Sequence, residues 1–391
     1  MLHAQKYLRA VKFFYSDTFR LGILGGGQLG RMLLQEAANY DVRTAVLDPS
    51  QDAPCSALCN EFTHGSFQDF DTVISFGTGK DVLTVEIEHV NTEALEVLEK
   101  DGVAVYPKPL FLRMVQDKGL QKEFYKKYNV PTAPFHLVES TTELPSDNTA
   151  FPFVLKSRKG GYDGKGVQII RSKEDLKTSF DGPCVVEELI PFEKELSVII
   201  ARNKQGETST FPIVEMEFNP EANLVEFLFS PAQVSEDVER EAKSIANQIV
   251  EASDFVGLLA VELFLTKEGK LLVNEMAPRP HNSGHHTIEA CTTSQYEQHL
   301  RAILSLPLGV TTLIQPAVMI NLLGAGGHEG AVHYKGLTEA LKIPGVHLHI
   351  YGKPHTKPFR KMGHVTVTDN DLTVAQQRAR SILQLIKVES C

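Results

Sequence analysis

No apolar run in the 391-residue chain approaches the ~20 residues of a membrane-spanning helix, so a soluble protein is expected. Cysteine is scarce: Cys55, Cys59, Cys184, Cys291 and Cys391 are scattered, odd in number and contain no Cys-x-x-Cys. A disulfide framework or a zinc site is therefore not expected, and a reducing compartment, the cytoplasm, is. The basic surplus of a nucleic-acid binder is also missing, because 39 Lys and Arg face 49 Asp and Glu for a formal charge of -10. A small anionic ligand stays compatible with that balance, since its site needs only a local cluster of cations. Internal repeats and low-complexity tracts are absent as well. What remains is an ordinary globular composition, 42% apolar and 23% charged, in a chain long enough for two to three domains.

The first twenty residues carry Lys6, Arg9, Lys12 and Arg20 against Asp17. They lack the Ser-rich character and small-residue cleavage site of a transit peptide, and read as a short surface helix or tail (1–20). From Arg20 strands and helices alternate, which predicts a doubly wound parallel sheet up to about Pro109. Its strands begin at Leu21 and Val42, with further strand-like runs ending at Ile74 and Glu86 and one at Val103–Val105. One helical stretch, Met114 to Tyr128, leads away. Strands are then expected around 151–157, 167–170 and 184–188. Ser235 caps a long helix whose apolar stripe is Val238, Ala242, Ile245 and Ile249. Two strands near 258–265 and 271–276 follow, and after Pro316 a shorter β-rich segment ends in a helix.

Gly25-x-Gly27-x-x-Gly30 follows a strand and opens a helix, with Asp48 near the place of a ribose-binding acid. Alone this suggests a dinucleotide site and an NAD-dependent oxidoreductase, although a tight strand-to-helix turn without ligand gives the same letters. The segment from Val261 to Glu275 reads as a β-hairpin turning at Glu268-Gly269. That register pairs Lys267 with Lys270, Leu265 with Leu272 and Glu262 with Glu275. Two carboxylates whose Cβ atoms lie ~5 Å apart in apolar strands need a positive partner. A divalent cation bridging phosphates, with Asn274 nearby, would supply it. Lys156 ends a strand and is followed by a loop with Gly160, Gly161, Gly164 and Gly166 among several cations. Its backbone can approach a polyphosphate. The spacing is not that of a Walker loop, since Gly166 stands where Ser or Thr is required. The strand from Val185 to Ile190, then Glu195, could hold an adenosine through backbone groups and a ribose through a carboxylate; a plain strand with solvent-facing acids reads the same.

Four strings then form a pattern: Gly-Gly-Gly-Gln-Leu-Gly-Arg-Met (25–32), Lys156 with Gly-Gly-Tyr-Asp-Gly-Lys-Gly (160–166), Asn-Glu-Met-Ala-Pro-Arg-Pro-His-Asn-Ser-Gly-His (274–285), and Arg-Lys-Met-Gly-His (360–364). In their order the chain resembles the ATP-grasp superfamily and, within it, the 5-(carboxyamino)imidazole ribonucleotide synthase family. The resemblance implies an α/β ATP-grasp fold: an N-terminal Rossmann-like domain (21–113), an ATP-grasp domain (114–315) with a mobile small subdomain at about 118–190, and a small C-terminal β-rich domain (316–391). It implies ATP contacts from Arg113, Lys156, Gly161, Tyr162, Asp163, Gly164, Lys165, Gly166, Glu187, Glu188, Leu189, Ile190, Glu195, Glu215, Asn274 and Glu275. Mg²⁺ would sit on Glu262 and Glu275. Gln28, Glu86, Tyr162, Asn282, Lys353, Arg360 and Lys361 would hold an aminoimidazole nucleotide. Arg279 would stabilise carboxyphosphate, and Asp163 with His281 would orient or deprotonate the amine. A homodimer acting on small molecules is implied. The neighbouring alternative is another ATP-grasp ligase, such as a formate-dependent glycinamide ribonucleotide transformylase. The chain departs from the family at Phe359, where Gly is frequent.

Overall fold

Near the N-terminus, three short segments are buried along almost their whole length, as parallel strands covered on both faces must be: Leu21–Leu24, Thr44–Asp48 and Val82–Val85. In the computed structural model, which describes residues 13–144, 151–161, 166–219 and 224–391, they form the centre of a five-stranded parallel sheet. Glu61–His64 and Ala104–Val105 are its edges. Alternation sends Leu21 and Ile23 to one face, under the helices Gln28–Asn39 and Gln295–Ile303. Leu24 and Leu47 go to the other, against Phe70–Gly77 and Thr92–Lys100. Most of the expected N-terminal tail (1–12) lies outside the described residues. Among those described, no helix is long and apolar enough to cross a membrane.

Two local expectations are corrected here. The run ending at Ile74 is helix, not strand: Asp69 caps Phe70–Gly77 by accepting from the Thr72 amide, and Val73 and Phe76 face the core. The strand expected there occurs earlier, at Glu61–His64, a largely exposed edge with no apolar run to announce it. The single helix expected from Met114 to Tyr128 is two, Pro109–Val115 and Lys118–Lys127. Asp117 breaks them, its carboxylate accepting from the amides of Gly119 and Leu120.

A four-stranded antiparallel sheet with its own small core follows, in the order Phe135–Val138, Cys184–Glu188, Phe153–Ser157, Val167–Ile170. The rest of the chain builds on a nine-stranded sheet. Leu271–Ala277, Gly257–Thr266, Phe192–Arg202, Val214–Asn219 and Leu224–Ser230 lie side by side, and Ala317–Leu323, Lys361–Thr368 and Val346–Ile350 continue the same sheet. One face packs Leu196, Val198, Leu259, Val261 and Leu263 onto the helix Glu236–Ala252, which Ser235 caps as expected. On the opposite face, Ile199, Ala201, Leu258 and Ala260 pack into a second small core, and Glu195, Ser197 and Glu262 lie further along it. The final helix, Leu372–Leu385, is followed by one more strand, Lys387–Ser390, in a small three-stranded sheet, so the described chain ends in a strand rather than a helix.

Candidate active site

The hairpin turns through three residues rather than two, with Gly269 at φ 78° and the Thr266 amide bonded to the Lys270 carbonyl. Leu265 therefore pairs with Leu271, not Leu272, and Lys267 does not oppose Lys270. A bulge between Glu262 and Leu263 then adds one residue on the opposite strand, Asn274, and the two offsets cancel. Glu262 stands opposite Glu275 after all. On the adjacent strand Ser197 pairs with Glu262 and Glu195 with Phe264, which places Glu195 on the same face.

Three carboxylates thus crowd one wall. Burial pushes Glu262 well up, helped by the charges of Glu275 and Glu195, and burial pushes Glu195 up to about 7. Glu275 moves the other way because Lys118 Nζ lies 2.7 Å from its Oε2. Lys156 Nζ donates to Asn274 Oδ1 at 2.8 Å and stands 3.0 Å from Glu187 Oε2. Among the described residues no set of three or more His, Cys, Asp or Glu forms a metal cage. Two hard carboxylates facing one another suit a Mg²⁺ whose remaining ligands are phosphate oxygens and water.

The residues expected to contact the nucleotide take different settings. The Glu187 side chain points inward between Lys156 and Lys122, whose charges hold it below the usual carboxylate range despite burial. Glu188, Leu189 and Ile190 form the rim beyond it, the Glu188 amide bonded to the Pro134 carbonyl. Glu215 accepts from Lys194 at 2.7 Å. Gly161 and Gly166 mark the ends of the glycine loop, and Tyr162, Asp163, Gly164 and Lys165 lie outside the described residues.

The run after the hairpin crosses to the N-terminal domain and the C-terminal segment. Arg279 Nε donates to Glu88 Oε2 at 2.5 Å and, against burial, holds that carboxyl down at about 2. His281 is driven to about 3 by burial and by the charges of Arg279 and Lys361. Its Nδ1 accepts from the Ser283 amide, which assigns the proton to Nε2, 3.6 Å from Glu262 Oε1. Ser283 Oγ links His281 Nδ1 to Ser197 Oγ. Asn282 exchanges two hydrogen bonds, 2.8 and 2.9 Å, with Asn321 of the C-terminal segment.

The N-terminal glycine turn holds side chains of its own. The Gly26 amide donates to Asp48 Oδ2 at 2.7 Å, and Ser50 to its Oδ1. Glu86 lies over the turn, accepting from the Leu29 amide, and a Cβ on Gly27 would stand 2.4 Å from its Oε1. A dinucleotide pyrophosphate would need those amides and that space, so the NAD reading fails here. Burial raises Glu86 to about 7, although Arg279, the Leu29 amide and Lys353 pull it down. Gln28, half-buried, begins the helix beside it. Lys353 donates to the Lys361 carbonyl at 2.7 Å, and Arg360 to the His355 carbonyl at 2.6 Å.

Residues 19–116 match the ribonucleotide synthetase preATP-grasp domain, 123–296 the ATP-grasp domain and 317–378 the phosphoribosylaminoimidazole carboxylase C-terminal domain. The crystal structure of N5-carboxyaminoimidazole ribonucleotide synthetase from Thermotoga maritima superposes with a TM-score of 0.89 at 44% identity, covering 95% of this chain and 100% of that one. The chain belongs to this family of ATP-grasp enzymes. The Aspergillus clavatus synthase, solved in complex with ADP and 5-aminoimidazole ribonucleotide, superposes with a TM-score of 0.83 at 32% identity, covering 94% and 98%. The chloroplastic phosphoribosylaminoimidazole carboxylase of Vigna aconitifolia is 40% identical over 373 residues, 93% of this chain and 66% of that protein. The chain therefore spans about two thirds of that longer carboxylase.

Arg113, expected among the ATP contacts, pairs with Glu96 at 2.6 Å with its side chain partly exposed, and Lys118 is a cation at the carboxylates that the sequence did not announce. Sequence reading passed over Lys118 because it treated 114–128 as one helix; Asp117 as a cap was the available signal. Glu88 and Lys122 were missed too, and only their partners reveal them. Phe359 takes φ 61°, the left-handed conformation that glycine favours and a phenylalanine adopts at a cost.

Proposed function

We propose that the chain carboxylates 5-aminoimidazole ribonucleotide with bicarbonate, using ATP and Mg²⁺, to give 5-carboxyaminoimidazole ribonucleotide, ADP and phosphate in purine synthesis. The observation that carries this reading is Glu262 opposite Glu275, attended by Lys118 and Lys156, with Arg279 beside them. Mg²⁺ on the two carboxylates would draw charge from the β- and γ-phosphates. Bicarbonate oxygen attacks the γ-phosphorus as the bond to ADP breaks, giving carboxyphosphate. Lys156 and Lys118 neutralise charge on the transferring group, and Arg279 holds the carboxyphosphate. Loss of CO₂ leaves phosphate. The exocyclic amine bonds to that CO₂, and its proton passes to phosphate or to Asp163. His281, neutral with its Nδ1 occupied, orients the site rather than taking the proton. Arg360, Lys361 and Lys353 receive the ribose 5′-phosphate next to Gln28, Glu86 and Asn282. Glu187 to Ile190 hold adenine through backbone groups, Glu195 holds the ribose, and the glycine loop serves the phosphates, with water kept from the intermediate. The enzyme works as a cytoplasmic homodimer.

The test measures ADP release and carboxylated product with ATP, bicarbonate and 5-aminoimidazole ribonucleotide, each omitted in turn. Product is expected only with all three. Turnover with formate and glycinamide ribonucleotide instead would replace this reading by the transformylase one.

A further inference from the structure

Lys122 is a buried ammonium that the proposed chemistry leaves without a task. It lies one turn beyond Lys118 on the same face of the helix Lys118–Lys127 and is 2% exposed. Its Nζ donates to Thr132 Oγ1 at 2.6 Å, and Thr132 Oγ1 donates to the Val273 carbonyl at 2.7 Å. The rings of Phe135 and Tyr125 stand 5.9 and 6.0 Å away. Lys122 Nζ also forms an ion pair with Glu187 Oε1 at 3.1 Å, less well aligned than its bond to Thr132. The second oxygen, Oε2, is 3.0 Å from Lys156 Nζ.

One buried carboxylate therefore has two ammonium neighbours, more than it needs. Lys156 is the one that also reaches the cleft, through Asn274 beside Glu275. Were Lys156 to turn toward a triphosphate with no other cation present, Glu187 would be left as an isolated buried charge, a state strongly disfavoured at this depth. Lys122 is already in place to prevent it. It is anchored on Thr132 and already stands at ion-pair distance from the Glu187 oxygen that Lys156 does not hold.

Resting on the reading that Lys156 serves ATP, we propose that Lys122 is a standby counter-ion: it keeps Glu187 compensated while Lys156 moves to the nucleotide phosphates, and so sets ATP affinity without touching ATP. Lys122 is a positioning residue, acting through Glu187 on Lys156.

The experiment measures MgATP binding by calorimetry, with kcat and KM for ATP, in the wild-type chain, Lys122→Met and the double variant Lys122→Met/Glu187→Gln. Lys122→Met is expected to weaken binding by about tenfold, within the coupling seen between neighbours in one ion network. It raises KM for ATP more than it lowers kcat. The double variant recovers most of the lost affinity, because no buried charge then restrains Lys156. A simple loss of structure would not be rescued by a second polar substitution. If the methionine variant does not fold, Lys122→Gln keeps a polar partner for Thr132 without the charge and carries the same expectation. Equal ATP affinity in wild type and the Lys122 variant, or no recovery in the double variant, overturns the role of Lys122 alone. Absence of ATP binding by the wild-type chain overturns the ligase reading itself.

Discussion

At Gly27 an added Cβ would stand 2.4 Å from a Glu86 oxygen, whereas at Gly160 it would meet nothing within 4 Å. The two glycine-rich loops share a composition and little else. In the first, Glu86 and Asp48 approach the backbone so closely that only hydrogen atoms fit, and the loop is filled from within. In the second, Gly160 and Gly166 take φ of 78° and 75°, and glycine supplies backbone freedom. Glycine marks close approach in one place and an unusual turn in the other, and the letters alone do not say which. The N-terminal loop reads as a dinucleotide fingerprint for that reason.

The contrast can be broken at several points. Glu275→Gln removes the acid the second loop would work against, and ADP formation should fall by about 100-fold or more, the range of a lost electrostatic stabiliser. Turnover near wild type would detach that loop from phosphate chemistry. Gly27→Ala should destabilise the protein by about 2–3 kcal/mol through overpacking against Glu86, read as a fall in Tm. Gly160→Ala should lose only about 1 kcal/mol, the strain of a left-handed alanine, and its KM for ATP should rise more than its Tm falls. Equal thermal shifts in the two alanine variants would erase the distinction.

The smallest effect uses pH. Glu86 rises from an ordinary value of 4.5 to about 7 in the fold, so the folded state keeps a proton that the unfolded chain releases. Its contribution to stability is full below pH 4.5 and is lost as pH climbs through 7. Glu195 rises to about 7 as well and has the same sign. The difference in melting temperature between wild type and Glu86→Gln should therefore decline from pH 5 to 8, a comparison that cancels the opposite contribution of buried histidines such as His281 and His299, whose values burial lowers. MgATP should flatten the share of Glu195 and leave that of Glu86. A slope untouched by Glu86→Gln would mean the first loop is held by something else.

Much of the architecture was legible because its causes are local. Ser235 announced its helix, and the buried runs announced the central parallel strands. Glu262 opposite Glu275 was legible too, though through two register errors that cancel, since neither a three-residue turn nor a bulge leaves a distinct signature. What escaped depends on partners far along the chain. Lys118 meets Glu275 across 157 positions and Arg279 meets Glu88 across 191; the Asp117 cap could place Lys118 at a helix start, but no local pattern could name either partner. The edge strand Glu61–His64 escaped for the opposite reason: it buries too little to need apolar residues.

The pairing of Phe229 with Val318 has a practical corollary. A fragment cut near residue 315 would retain every proposed ATP contact, yet it would uncover one long side of Leu224–Ser230 and the apolar rings of Phe227 and Phe229. Bare ribbon edges recruit other chains. The tail-end segment acts as a selvage that stops the woven sheet from joining its neighbours, and truncated forms should precipitate before they can be assayed.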